Sequence, residues 1–174
     1  MLRARLGCFV ILLCSCGWTA ADAISEPNPP VELAQGGVRG RVWETYSEAG
    51  KDLHIKATRD GRTAMWRYSG LELDAEPGAV RAEIRELKGA PFLFVHAYSG
   101  GASCCWSLLV FDLAQLKPLG EMLPSNGSIV LRRKVAACGL QAEYWLRKDP
   151  PGPEDKALRC FDGTIFRKMA RKGR

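Results

Sequence analysis

The sequence predicts an all-β fold, a single antiparallel sandwich or barrel of about ten short strands stapled by disulfides. Three observations carry this expectation. From Val38 onward the dominant hydrophobic period is two, the period of a half-buried strand. Short apolar runs alternate with Gly, Pro, Asn and Asp clusters. No segment carries an apolar helical stripe sustained over three turns.

The chain opens with the pattern of an export signal. Arg3 and Arg5 precede an apolar core of 11 residues, Leu6 to Cys16, and Ala21-Asp22-Ala23 places small residues where a signal peptidase reads. That core is too short for a spanning helix, which needs roughly 20 residues. Residues 1–23 are therefore expected to be removed, giving a periplasmic or secreted product that starts near Ile24. A second route stays open, because Leu13-Cys14-Ser15-Cys16 resembles a bacterial lipobox and would leave the chain lipid-anchored at Cys16.

Residues 24–37 contain Pro27, Pro29 and Pro30 and read as a Pro-rich linker. The β domain is expected over 38–168, with a basic tail over 169–174. Arg39 to Tyr46 forms the first strand. Asp52 to Arg59 alternates Leu53, Ile55 and Ala57 against His54, Lys56 and Thr58. Asp60-Gly61 then supplies the two positive φ values of a tight hairpin, and Thr63 to Tyr68 returns.

Val80, Ala82 and Ile84 alternate with charged neighbours, and Lys88-Gly89-Ala90-Pro91 turns the chain. Phe92-Leu93-Phe94-Val95 has no polar alternation, so it should be central and buried on both faces. Trp106 to Leu113 reads the same way. Ala114 to Leu119 has room for one helical turn at most, since Pro118 stops anything longer. Ser125-Asn126-Gly127-Ser128 turns into a strand from Ile129 to Arg133. Leu140, Ala142, Tyr144 and Leu146 alternate in the next strand, and Asp149 to Asp155 is a Pro-rich loop. Leu158 to Phe161, an Asp162-Gly163 turn and Thr164 to Phe166 close the fold as a second hairpin.

Without residues 1–23 the chain keeps 151 residues, enough to bury about 68–70% of its unfolded surface in one domain. Loss of Arg3, Arg5 and Asp22 takes the net charge from +6 to +5. That balance permits contact with lipid headgroups, cell-wall polymers or nucleic acid, and is also an ordinary solubility charge. No specific nucleic-acid binding is expected, and the sequence names no partner.

The chemistry concentrates in Ser99-Gly100-Gly101-Ala102-Ser103-Cys104-Cys105-Trp106, between two apolar strands. Phe92 to Gly101 mimics a hydrolase nucleophile elbow at Ser99. That mechanism needs a histidine after the serine, and His54 and His96 both precede it. No catalytic residue is assigned. Four cysteines and two histidines lack the paired spacing of a zinc site, and Glu86 beside Lys88 is no calcium loop. No metal and no cofactor is expected.

Gly100-Gly101-Ala102-Ser103-Cys104-Cys105-Trp106 resembles a Gly-Gly-Ala-x-Cys-Cys-aromatic motif of exported bacterial β-repeat proteins related to the integrin-type FG-GAP repeat. The similarity runs over residues 80–113. Glu86-Leu87-Lys88-Gly89 stands where the typical repeat carries calcium-binding aspartates, and lacks them. The resemblance implies a β architecture and export, with no reaction attached.

Cys104, Cys105, Cys138 and Cys160 are the cysteines of the exported body, and an even count in an exported chain implies disulfides with three full pairings. The glycines flanking Cys104 and Cys105 favour a bridge between these neighbours, which would leave Cys138 with Cys160. On a regular strand the two thiols would face opposite ways and take separate partners. With His96, Tyr98 and Trp106, the Cys104–Cys105 pair makes a candidate binding surface for a sugar ring or a protein side chain. The sequence thus reads as an exported binding or structural protein that leans away from enzymatic activity. The alternative is a thiol-disulfide protein using Cys104 and Cys105.

Overall fold

The computed structural model describes residues 28–73, 82–99, 106–125, 127–135, 138–145 and 156–169. The signal segment, Cys104, Cys105, the Pro-rich loop from Asp149 and the end of the basic tail lie outside the described residues. The fold is all-β and built from antiparallel sheets that stay open, so the sandwich expectation holds and the closed barrel does not.

The first sheet is an up-and-down meander of β1 (Val31–Gln35), β2 (Val38–Ser47), β3 (Gly50–Arg59) and β4 (Arg62–Ser69). Val31–Gln35 falls in the stretch read from sequence as linker. It is instead a strand, because Gly36 and Gly37 take φ of 56° and 78° and fold it back onto β2, pairing Gln35 with Val38 and Val31 with Val42. Asp60 and Gly61, at φ of 51° and 74°, make the expected tight turn between β3 and β4.

The second sheet contains β5 (Glu72–Leu73), β6 (Ala82–Leu87), β7 (Ala90–Tyr98), β8 (Trp106–Asp112) and β9 (Lys117–Ser125). β5 and β6 share one edge of β7: Leu73 opposes Ala97 and Ala82 opposes Val95. The stretch from Ala114, with room for one helical turn at most, forms a turn and no helix. Asp112 caps a hydrogen-bonded turn by accepting from the N–H groups of Ala114 (2.8 Å) and Gln115 (3.0 Å), and the chain returns as β9 from Lys117. Pro118 fits in β9 beside the register shift between Val110 and Phe111, where the ladder is already irregular.

The third sheet is β10 (Val130–Val135), β11 (Cys138–Trp145), β12 (Lys156–Phe161) and β13 (Phe166–Lys168). Its closing hairpin differs from the expected two-residue turn. Phe161 pairs with Phe166 across four residues, and the Asp162 carboxylate holds them by accepting from Thr164 N–H (2.8 Å), Thr164 O–H (2.7 Å) and Ile165 N–H (3.0 Å).

The middle sheet feeds two cores. Leu93, Val95, Ala97, Leu109, Phe111 and Leu113 pack against Val38, Val42, Leu53, Ile55 and Ala57 of the first sheet. Phe92, Phe94, Leu108 and Val110 pack against Leu140, Ala142, Tyr144, Phe161 and Phe166 of the third. Each strand side chain alternates between faces, so a strand covered on both sides must be apolar at every position. That is the physical content of the unbroken run Phe92–Val95.

Candidate functional site

β7 ends at Tyr98 and β8 begins at its register partner Trp106, with the glycine-cysteine segment between them in the chain. Tyr98 and Trp106 are direct register partners at this edge, their rings 4.6 Å apart and tilted by 41°. An aromatic cross-strand pair of this kind stabilises the mouth of a hairpin and sets the separation of the chain ends that enter the loop. Both residues stand on the face that lines the second core, two positions beyond His96 and Leu108. The Trp106 Nε1–H is buried and has no acceptor among the described residues.

Of the five candidate binding residues, His96 is placed differently from the sequence expectation. It is 5% exposed and opposite Leu108 within the sheet, so it belongs to the interior and not to a contact surface. Tyr98 and Trp106 are half-buried at the ends of their strands. Cys104 and Cys105 lie outside the described residues.

Cys138 and Cys160 form a disulfide, with Cα atoms 5.6 Å apart, joining the start of β11 to β12. This is the pairing that the glycine frame of Cys104 and Cys105 favours. It also removes the alternatives in which either of those residues bonds to Cys138 or Cys160.

Residues that the sequence did not single out complete this end. Ser125 opposes Trp106, and its hydroxyl oxygen accepts from the N–H groups of Trp145 (2.9 Å) and Gly127 (3.3 Å). The second sheet is thereby tied to the last residue of β11. A Cβ at Gly127 would come within 2.6 Å of the Trp145 ring, so only glycine lets the turn pass over the indole. The Lys156 ammonium sits 4.6 Å from the Trp145 ring centre. The Ser125-Asn126-Gly127 turn signal was visible in the sequence, but its contact with Trp145 spans 20 residues and was not.

A second polar centre is built around Glu44 of β2, which meets Leu73, the register partner of Ala97. Glu44 is 6% exposed and accepts hydrogen bonds from Asn28 N–H (3.2 Å), Asn28 Nδ2 (3.1 Å), Tyr46 O–H (3.2 Å) and Leu73 N–H. One carboxylate thus gathers the chain entering the first sheet and the chain leaving it for the second. Burial first, and then the Glu44 charge, push the Tyr46 phenol up to about 12.

Ser99 remains a poor nucleophile elbow. Only six residues separate it from Trp106, where strand β8 has begun, and the elbow needs a helix to follow its serine. Among the described residues no three His, Cys, Asp or Glu side chains group as metal ligands. Among them, too, no helix is long and apolar enough to cross a membrane.

Comparison of the chain with protein-family models, with curated proteins and with solved structures finds no match.

Proposed function

We propose that this chain is an exported binding module of the bacterial envelope that meets an envelope polymer through the loop end of its middle sheet. The observation that carries the reading is the Tyr98–Trp106 pair, two tilted aromatic rings at the mouth of the glycine-cysteine hairpin. Both residues are half-buried, so part of their apolar surface is free to meet the face of a sugar ring. Export rests on the pattern of residues 1–23, processed near Ala23 or anchored at Cys16.

Co-sedimentation of the purified chain with isolated peptidoglycan tests the reading. Trp106→Ala should reduce retention by about tenfold, as truncation of a central aromatic anchor does. A protein that does not sediment, or a Trp106→Ala variant that sediments as well as its parent, would overturn it. The Cys138–Cys160 bridge and the unfolding midpoint of the variant establish that it is folded.

The Cys138–Cys160 bond also favours a second reading. It leaves Cys104 and Cys105 with each other as the natural oxidised partner, and a bridge between adjacent residues is of the strained, readily reduced kind. Mass mapping under graded reductant decides between a thiol-disulfide role and a structural one. Reduction of the Cys104–Cys105 pair well before Cys138–Cys160 supports the redox role, and simultaneous reduction removes it.

A further inference from the structure

The outer face of the first sheet is turned away from both cores. Strand alternation and register place Arg39, Arg41, Trp43 and Thr45 of β2 on it, beside Thr58, Lys56, His54 and Asp52 of β3. Thr63, Met65 and Arg67 of β4 extend the same rows. Four cations therefore share one flat face with two carboxylates. Both carboxylates are engaged: Glu32 with Arg41 at 3.1 Å and Asp52 with Arg67 at 2.6 Å.

Arg39 and Lys56 have no carboxylate partner among the described residues. With Arg41, Thr58, Gly40 and Glu32 they line a depression of about 270 Å³. Arg41 and Lys56 are register partners on neighbouring strands about 4.8 Å apart, and Arg39 is two residues along the strand from Arg41. This is the spacing at which three cations can surround a single phosphate. Beside them the Met65 side chain, register partner of Lys56, is 61% exposed. Trp43 is stacked on His54 with rings 5.1 Å apart, and the Arg41 guanidinium lies 5.3 Å from its ring centre, which stiffens the centre of the face.

We infer that this face docks on an anionic phospholipid surface, with a headgroup phosphate seated among Arg39, Arg41 and Lys56 and with Met65 entering the interfacial layer. The charge is complementary, and a sheet face is spread in two dimensions like the bilayer it would meet. An exposed methionine among cations suits the boundary between headgroups and acyl chains better than a soluble polyanion does. The site is independent of the Tyr98–Trp106 end and stands or falls separately from it.

Vesicle co-sedimentation of the chain as a bacterial host produces it tests the inference. Retention on vesicles of mixed phosphatidylglycerol and phosphatidylcholine should exceed that on phosphatidylcholine alone by about tenfold or more. It should fall away near 1 M salt, where the Debye length is about 3 Å. The double variant Arg39→Glu, Lys56→Glu should lose this preference, and Met65→Ser should weaken retention without altering its salt dependence. Because all three residues are exposed, an unchanged unfolding midpoint is expected and separates lost binding from lost fold. Equal retention on neutral and anionic vesicles would overturn the inference. So would an undiminished double variant, or retention on polyphosphate or single-stranded nucleic acid but not on phosphatidylglycerol.

Discussion

Leu93 and Phe94 are consecutive residues of β7, both fully buried, and they belong to different cores. Leu93 faces the first sheet, and Phe94 meets Phe161 of the third edge-on, with rings 5.5 Å apart. The middle sheet is thus a shared wall. Truncation at either position should destabilise the whole domain, by about 2–5 kcal/mol for Leu93→Ala and about 3–5 kcal/mol for Phe94→Ala. Denaturant titration followed by fluorescence and by circular dichroism should give coincident transitions for both variants. Loss of only half the signal in either one would show that the two cores unfold independently.

The Cys138–Cys160 bond joins residues 22 apart in sequence across the Pro-rich loop. Replacing both by Ala should cost about 3 kcal/mol in the chain-entropy model, measured as a lower denaturant midpoint. In the unreduced parent, peptide mapping should recover these two residues in one cross-linked pair.

Glu44 receives donors from both ends of the first sheet. Glu44→Ala strands the Leu73 N–H, and leaving such a buried donor unpaired costs about 1–3 kcal/mol. Glu44→Gln, which keeps an acceptor, should cost less. It should also lower the Tyr46 phenol from about 12 without returning it to 10.0, since burial is the largest cause of the shift. Ultraviolet titration of tyrosinate reads this directly. The raised phenol favours the folded protein below its unfolded value, and that contribution is lost as pH rises from 10.0 towards 12.

Acid acts on two other carboxylates. The Arg67 and Ser69 side-chain hydrogen bonds hold Asp52 below the ordinary carboxylate range. Asp162 is held lower still by the Ile165 N–H, the Thr164 hydroxyl and Arg167. Both groups favour the folded state above the unfolded value of 3.8, and that contribution disappears as pH falls through their folded values. The double variant Asp52→Asn, Asp162→Asn should therefore show a flatter dependence of thermal midpoint on pH below 3.8. An unchanged slope would mean that neither carboxylate is linked to unfolding.

Local sequence encodes the strand content, the Asp60-Gly61 hairpin and the burial of Phe92–Val95 on both faces, because period and turn chemistry act over a few residues. It also favoured the Cys138–Cys160 bridge, through the glycines around Cys104 and Cys105. It misread Val31–Gln35 as linker, since a short half-exposed edge strand carries little apolar signal and gains its stability from pairing with β2. It likewise offered His96 as a contact residue. Only the fold shows that this residue is buried within the sheet, opposite Leu108. Tertiary structure alone decided that the strands form three open sheets, that Glu44 clasps Asn28 to Leu73, and that Ser125 reaches Trp145. It alone gathered Arg39, Arg41 and Lys56 around one depression. These relationships join residues far apart in the chain, and local periodicity cannot encode which distant partner a strand face or a carboxylate will meet.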